Sequence, residues 1–539
     1  MIGADAMVKC LEVEGVKNVF GYPGVAICPF YNSILSSDIR TILIRTEQNA
    51  AHAANGLSRV TGKVGVCAVT SGPGATNVIT GIATAFADSI PLVCITGQVN
   101  SELLGSDVFQ EADITGAVES FVKYSYLIKN VNDIPRIFKE AFHIANTGRK
   151  GPVLIDVPID IQNAKINDFD YPEEVSMRTY KPTVKGHIVQ IKKVAKELEK
   201  AKKPLICAGG GVLLSDAGEE LRSFAEKYRV PVVSTMMGIG AMPTEHLMYF
   251  GMVGNNGKLC ANRAMNEADL LIMIGARVAD RAVNQPDIIT TNKVLVHIDV
   301  DSAEIGKNAL PSIPIVGDAK CIFQDFMEQE ISCEDHEEWI NTLNDYKKNI
   351  FRKRNPNPVY VDPAEFIRKL SMKMEKDGIY VADVGQNQIW SCAYHIVREG
   401  RFMTSGGMGT MGYSIPAAMG AKLACPEKQV IAVCGDGSFQ MSMMELATMR
   451  QHNIPVKIVV LKNNYLGMVR EFQHYNYQDH YSVVDLSGSP DLEKLVSAYD
   501  MKFIRLENME KVDEALDAFL AKDESVLMEC NIDPMDLVS

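Results

Sequence analysis

The sequence predicts an α/β protein made of three doubly wound parallel-sheet units. Three observations point there. Short β-branched runs alternate with helical patterns from end to end. The runs are apolar on both alternations, as strands covered by helices on both faces require. And 539 residues allow about three domains of ~150–200 residues each. The strand candidates are 64–70, 92–96, 153–157, 205–208, 232–234, 270–274, 294–298, 379–382, 430–434, 456–461 and 526–530, with a further strand-like run at 41–44. Two stretches read as linkers. Residues 166–187 are polar and aperiodic, and 351–358 are basic and broken by proline. Cutting there leaves units at 1–165, 187–345 and 358–539. The first and third share a layout of strand, glycine-rich turn and helix.

Composition narrows the function classes. A formal net charge of −13 lacks the basic face that a nucleic-acid binder needs. No run approaches the ~18–20 apolar residues of a membrane span, and no basic-then-apolar leader opens the chain. The twelve cysteines form no Cys-x-x-Cys pair. They read as small buried hydrophobes of a reducing cytoplasm.

The third unit carries the most specific chemistry. The strand 430–434 ends in Gly435-Asp436-Gly437-Ser438, a helix is expected over 441–452, and the next strand ends at Lys462-Asn463-Asn464. Both turns then fall on the C-terminal rim of a parallel sheet, where such sheets bind ligands. The glycines let backbone approach phosphate oxygens. Asp436 and the Asn463 amide oxygen are hard ligands suited to Mg²⁺. Twenty-five residues, 438–462, separate Gly437 from Asn463, the spacing of the thiamine-diphosphate signature.

In the first unit Glu47 follows a strand and opens an Ala-rich helix. It reads either as an N-terminal charge favoured by the helix dipole or as the carboxyl that thiamine chemistry needs on the aminopyrimidine ring. His52, further along that helix, reads as packed rather than catalytic. The turn 71–77, containing Pro73 and Asn77, is a second backbone-exposing turn at a strand end.

Together these motifs resemble the thiamine-diphosphate carboligases, and among them the acetolactate (acetohydroxyacid) synthase catalytic subunits. The likeness spans nearly the whole chain and is strongest at 46–54, 70–77, 107–111, 409–413, 435–440 and 463–470. It implies pyrimidine-binding, central and diphosphate-binding domains, and condensation of two pyruvates to 2-acetolactate and CO₂, as in branched-chain amino-acid biosynthesis. Carried over residue by residue, it makes Glu47 the partner of the pyrimidine N1′ and Met411 the wedge that bends the cofactor. The Gly409 carbonyl becomes the acceptor for its amino group. Pro73, Asn77, Val384, Gly385, Gln386, Gly435, Gly437, Ser438 and Met468 fall at cofactor positions, and the Tyr465 carbonyl completes the metal shell. Phe109, Gln110 and Lys123 fall on the substrate side. In this family Glu47 serves cofactor held by another subunit, which implies a homodimer or homotetramer; a small regulatory subunit is a further possible partner.

The middle unit raises the matter of flavin. Gly209-Gly210-Gly211 and Gly275 follow strands, and Arg149, Thr235, Met252, Arg277, Arg281, Asp299 and Asp318 match positions that hold a structural FAD in the family. Other relatives keep such a domain without flavin. Val25, Ile159 and Phe472 stand where the family has Gly, Lys and Trp, all on the substrate side. A changed acceptor such as a keto sugar, plain decarboxylation, oxidase chemistry and a non-catalytic partner role therefore stay open alongside acetolactate synthesis.

Overall fold

The computed structural model describes residues 1–350 and 354–538, so part of the basic stretch 351–358 lies outside the described residues. It contains three six-stranded sheets, parallel throughout. The first holds β1 (Asn18–Tyr22), β2 (Arg40–Leu43), β3 (Gly65–Val69), β4 (Leu92–Gln98), β5 (Tyr124–Leu127) and β6 (Pro152–Pro158). The second holds β7 (Pro204–Ala208), β8 (Val232–Ser234), β9 (Tyr249–Met252), β10 (Leu270–Ile274), β11 (Val294–Asp299) and β12 (Ile313–Val316). The third holds β13 (Ile379–Ala382), β14 (Arg401–Thr404), β15 (Val430–Gly435), β16 (Lys457–Lys462), β17 (Lys502–Leu506) and β18 (Val526–Asn531).

Strand order explains what each sheet can hold. The first runs β2-β1-β3-β4-β6-β5 and the third β14-β13-β15-β16-β18-β17, the same topology twice. The second runs β12-β11-β10-β7-β8-β9. Read from the other edge, that is the 3-2-1-4-5-6 order of dinucleotide-binding sheets. In every sheet the order reverses beside the first strand, opening a crevice at the strands' C-terminal ends.

The first and third sheets share one core. Helix Glu47–Thr61 of the first domain crosses helix Ser414–Ala424 of the third so closely that only glycine fits at the crossing. A Cβ on Gly56 would lie 2.0 Å from the Ala417 carbonyl oxygen, and one on Gly420 1.8 Å from that of Ala53. His52 sits inside this core, fully buried and edge-on to Tyr413 at 5.4 Å. Burial and the nearby Arg59 charge push its pKa down to about 3, so it is a neutral packing residue. The 166–187 stretch contains no strand or helix, but Tyr180 anchors it, donating to the Thr147 carbonyl at 2.7 Å. No helix among the described residues is long and apolar enough to cross a membrane.

One expected element is corrected. Residues 441–452 are not one helix. Helix Asp436–Ser442 starts directly at the end of β15, and helix Glu445–His452 follows after a break at Met443-Met444.

Candidate active site

β15 and β16 pair in parallel with Gly435 opposite Leu461. That register carries Asp436 and Asn463 onto one rim, as their places at strand ends require. Both side chains are buried. Asp436 accepts the Gly437 N–H at 3.1 Å and the Asn464 N–H at 2.7 Å. Asn463 Oδ1 accepts the Tyr465 N–H at 2.9 Å, and its Nδ2 donates to Gln386 Oε1 at 3.3 Å. Burial pushes the Asp436 carboxyl up to about 6. A buried carboxylate that accepts from backbone N–H groups, together with an amide oxygen on the same rim, makes a donor set for a hard divalent cation, which would favour the ionised form.

A cavity of about 60 Å³ opens over this pair at the reversal between β13 and β15. Val384, Gly385, Gln386, Gly435, Gly437, Ser438, Tyr465 and Met468 line it with Asp436 and Asn463. Gly467 lets backbone lie against its wall: a Cβ there would fall 2.1 Å from Gln386 Oε1. Beside it lies a cavity of about 1080 Å³, and Met411, Val384, Gly385 and Met468 line both. Met411 therefore stands at their junction, with Gly409 on the larger side.

The larger cavity extends into the reversal between β7 and β10. Arg149, Gly210, Gly211, Thr235, Met252, Gly275, Arg277, Arg281, Asp299 and Asp318 line it, and Phe472 joins them from helix Gly467–Tyr477. Gly209 is the nominated flavin position that does not; it lies beneath, where a Cβ would meet the Gly275 carbonyl oxygen at 2.1 Å. Gly275 has φ +56°, a conformation that suits glycine, and a Cβ on it would fall 2.7 Å from Gly211 Cα. A dinucleotide-type strand order, two glycine turns at the reversal, and arginines on the wall fit FAD.

Glu47 lies on neither of these cavities. It is the first residue of its helix, capped by Thr46, and its Oε2 accepts from Asn77 Nδ2 at 3.1 Å. Gly74 passes it closely enough that a Cβ would sit 3.3 Å from Oε1, and Gly72 likewise abuts Gln110. Pro73 begins helix Pro73–Ala87 in the same turn. This second cluster, on the C-terminal rim of the first sheet, is open. Val25 is 76% exposed and Phe109 87%. Ile159 begins a short helix after β6, also away from both cavities. One chain thus carries two separate clusters, one around Glu47 and one around Asp436.

Lys123 departs from its expected place on the substrate side. Its ammonium turns into the first domain, donating to the Thr147 carbonyl and the Tyr180 hydroxyl at 2.8 Å each, and to the Ile144 carbonyl. Burial, with the charge of Arg149, pushes it down to about 7. These acceptors come from the chain after residue 140 and from the linker, which local sequence does not reveal.

Two supporting acids carry no motif of their own. Asp383, fully buried after β13, accepts the Gly412 N–H at 2.9 Å and the Ser414 N–H at 2.8 Å, fixing the turn that presents Met411. Its place after an apolar strand, like that of Asp436, is the signal that could have found it. Asp156 accepts from the Thr96 hydroxyl at 2.6 Å and from Gln98 Nε2 at 2.9 Å, while Gln98 also holds the Ala112 carbonyl at the end of the Phe109–Gln110 loop. Burial pushes Asp156 up to about 7 from an ordinary 3.8. An acid so raised opposes folding once ionised. Stability from this group is full below about pH 4, falls as pH rises toward 7 and stays low above. Asp156→Asn is therefore expected to raise the thermal midpoint at about pH 8, with the gain fading toward about pH 4. An equal gain at both would contradict this.

The comparisons agree with this geometry. Models of the thiamine pyrophosphate enzymes match the chain at the N-terminal binding domain (residues 1–117), the central domain (191–328) and the C-terminal binding domain (383–530). The chain is similar to the probable acetolactate synthase large subunit of Methanocaldococcus jannaschii, with 44% identity over 99% of this chain and 93% of that one. It is also similar to the acetolactate synthase large subunits of Haemophilus influenzae (42%, over 99% and 95%) and Lactococcus lactis (41%, over 98% and 92%). Identity at this level along the whole chain places it: the protein belongs to the acetolactate synthase large-subunit family of thiamine pyrophosphate enzymes.

Proposed function

We propose that the protein is a thiamine-diphosphate- and Mg²⁺-dependent decarboxylating carboligase that makes 2-acetolactate and CO₂ from two pyruvates, in branched-chain amino-acid biosynthesis. The observation that carries the cofactor assignment is the meeting of Asp436, Asn463 and Gln386 in one small cavity with Met411 at its mouth. The full-length likeness to acetolactate synthases supports the substrate.

Asp436, the Asn463 amide oxygen and the Tyr465 carbonyl would hold Mg²⁺, a hard cation that would also take diphosphate oxygens. Gly435, Gly437, Ser438 and Gln386 bind the diphosphate. Met411 would support the bend between the cofactor's two rings, and the Gly409 carbonyl would orient the amino group. Bound thiamine diphosphate supplies a thiazolium that takes up the electrons left when pyruvate loses CO₂. Glu47 holds a proton at the pyrimidine N1′. Because Glu47 and Asp436 occupy separate half-sites of one chain, two chains pair so that each supplies Glu47, Asn77 and Pro73 to its partner. The exposed Val25 and Phe109, with Gln110 and Ile159, then join Phe472 around the substrate. A homodimer is the minimum assembly. The relatives' designation as large subunits supports a smaller regulatory partner, and twelve free cysteines support a reducing compartment such as the cytoplasm.

Incubation with thiamine diphosphate, Mg²⁺ and pyruvate is expected to yield 2-acetolactate; CO₂ release without it would refute the proposal. Acetyl transfer to other ketones is not favoured by the relatives. The cavity between β7 and β10 would hold structural FAD against Arg149, Arg277 and the glycine turns. Purified protein is expected to be yellow, and Arg277→Ala to lose the visible flavin band on gel filtration. Colourless protein that takes up no added FAD would contradict this.

A further inference from the structure

We propose that Glu445 is a positioning residue for Glu47, through which the helix after one chain's metal-binding turn sets the carboxylate that serves the partner's site; this rests on the role of Glu47 given above. β2 is the edge strand of the first sheet, and an edge leaves backbone N–H and C=O groups without ladder partners. Helix Glu445–His452 of the third domain supplies them. His452 Nε2 accepts the Leu43 N–H at 3.1 Å, Thr448 donates to the Leu43 carbonyl at 3.2 Å, and Glu445 accepts the Arg45 N–H at 3.1 Å.

Glu445 does more than close an edge. It is fully buried, and its Oε1 also accepts from Asn49 Nδ2 at 2.9 Å while its Oε2 accepts from the Thr448 hydroxyl at 2.7 Å. The carboxylate therefore clasps the backbone two residues before Glu47 and the side chain two residues after it. A buried carboxylate is a costly way to gain stability, since apolar packing there would do as well; what bonds from three donors secure is register. The same Asn49 leads toward the metal end. Ser442, last residue of the helix that begins at Asp436, faces Asn49 Oδ1 at 3.5 Å and donates to the Gly412 carbonyl, beside Met411, at 2.5 Å. A run of close polar contacts thus lies between a chain's own cofactor turn and the segment that carries the Glu47 it lends.

The test is the rate of C2-proton exchange per loaded site in the Mg²⁺–thiamine diphosphate holoenzyme. Glu445→Ala frees the turn and is expected to slow exchange roughly 100-fold, the scale of an ångström's misplacement of a reacting group. Glu445→Gln keeps an acceptor for Arg45 and Asn49 and a donor for Thr448, and is expected to restore exchange to within about threefold. Exchange unchanged in Glu445→Ala, or equally slow in Glu445→Gln, would overturn the inference. If Glu445→Ala does not fold, Asn49→Ala replaces it, with about tenfold slowing expected and an unchanged rate overturning the inference. Glu47→Gln run alongside separates the two layers: fast exchange there refutes the role of Glu47 itself, whereas slow exchange there with fast exchange in Glu445→Ala refutes only the positioning role.

Discussion

Glu47→Gln is expected to lower C2-proton exchange of bound thiamine diphosphate about 1000-fold, within the range general acid–base groups contribute, while cofactor affinity changes little. The structure explains why the two effects separate. Glu47 is the first residue of a helix whose cap is the neighbouring Thr46, so the fold does not depend on its charge. Gln keeps an oxygen for Asn77 Nδ2 and removes only the acidic proton. The groups proposed to grip the cofactor, Asp436, Asn463 and Gln386, line a cavity at a different sheet. An exchange rate matching the unaltered protein would remove Glu47 from the mechanism.

Asp436→Ala is expected to do the reverse, abolishing cofactor retention while the apo fold persists. Losing an inner oxygen ligand should weaken Mg²⁺ and diphosphate binding by more than the about 10–100-fold that outer partners contribute. Dialysis of the variant against thiamine diphosphate and Mg²⁺, followed by cofactor assay, reads this directly; retention equal to the unaltered protein would contradict it. The same residue predicts a pH effect. With burial holding its carboxyl at about 6 in the metal-free chain, protons compete with the cation below that value. Apparent Mg²⁺ affinity should fall as pH drops through 6, by up to about tenfold per unit.

How far these features were legible depends on how local their cause is. The central strands announce themselves as continuous apolar runs because helices cover both their faces. β5, β9, β12, β14 and β17 do not; each lies at a sheet edge, where alternate positions can be polar, as in Lys502–Leu506. β1 is interior but interrupted by Gly21, so it too escapes notice. The break between Ser442 and Glu445 has no glycine or proline to mark it. The meeting of Asp436 and Asn463 on one rim was legible because strand ends and spacing encode it. Glu445 was not, because Arg45 and Asn49 lie 400 and 396 residues away. Lys123 was misplaced for the same reason: its acceptors come from distant chain.

In the proposed enzyme the working site is assembled from two chains, one lending Glu47 and the other Asp436. Mixing Glu47→Gln and Asp436→Ala subunits under exchange conditions tests it. Each mutant alone is inactive, but a hybrid dimer contains one site with both residues intact. Random pairing of equal amounts then predicts recovery of about a quarter of the unaltered acetolactate-forming activity, from half the dimers each carrying one good site. A mixture that forms hybrid dimers yet stays as inactive as its parents would show that both residues serve within a single chain.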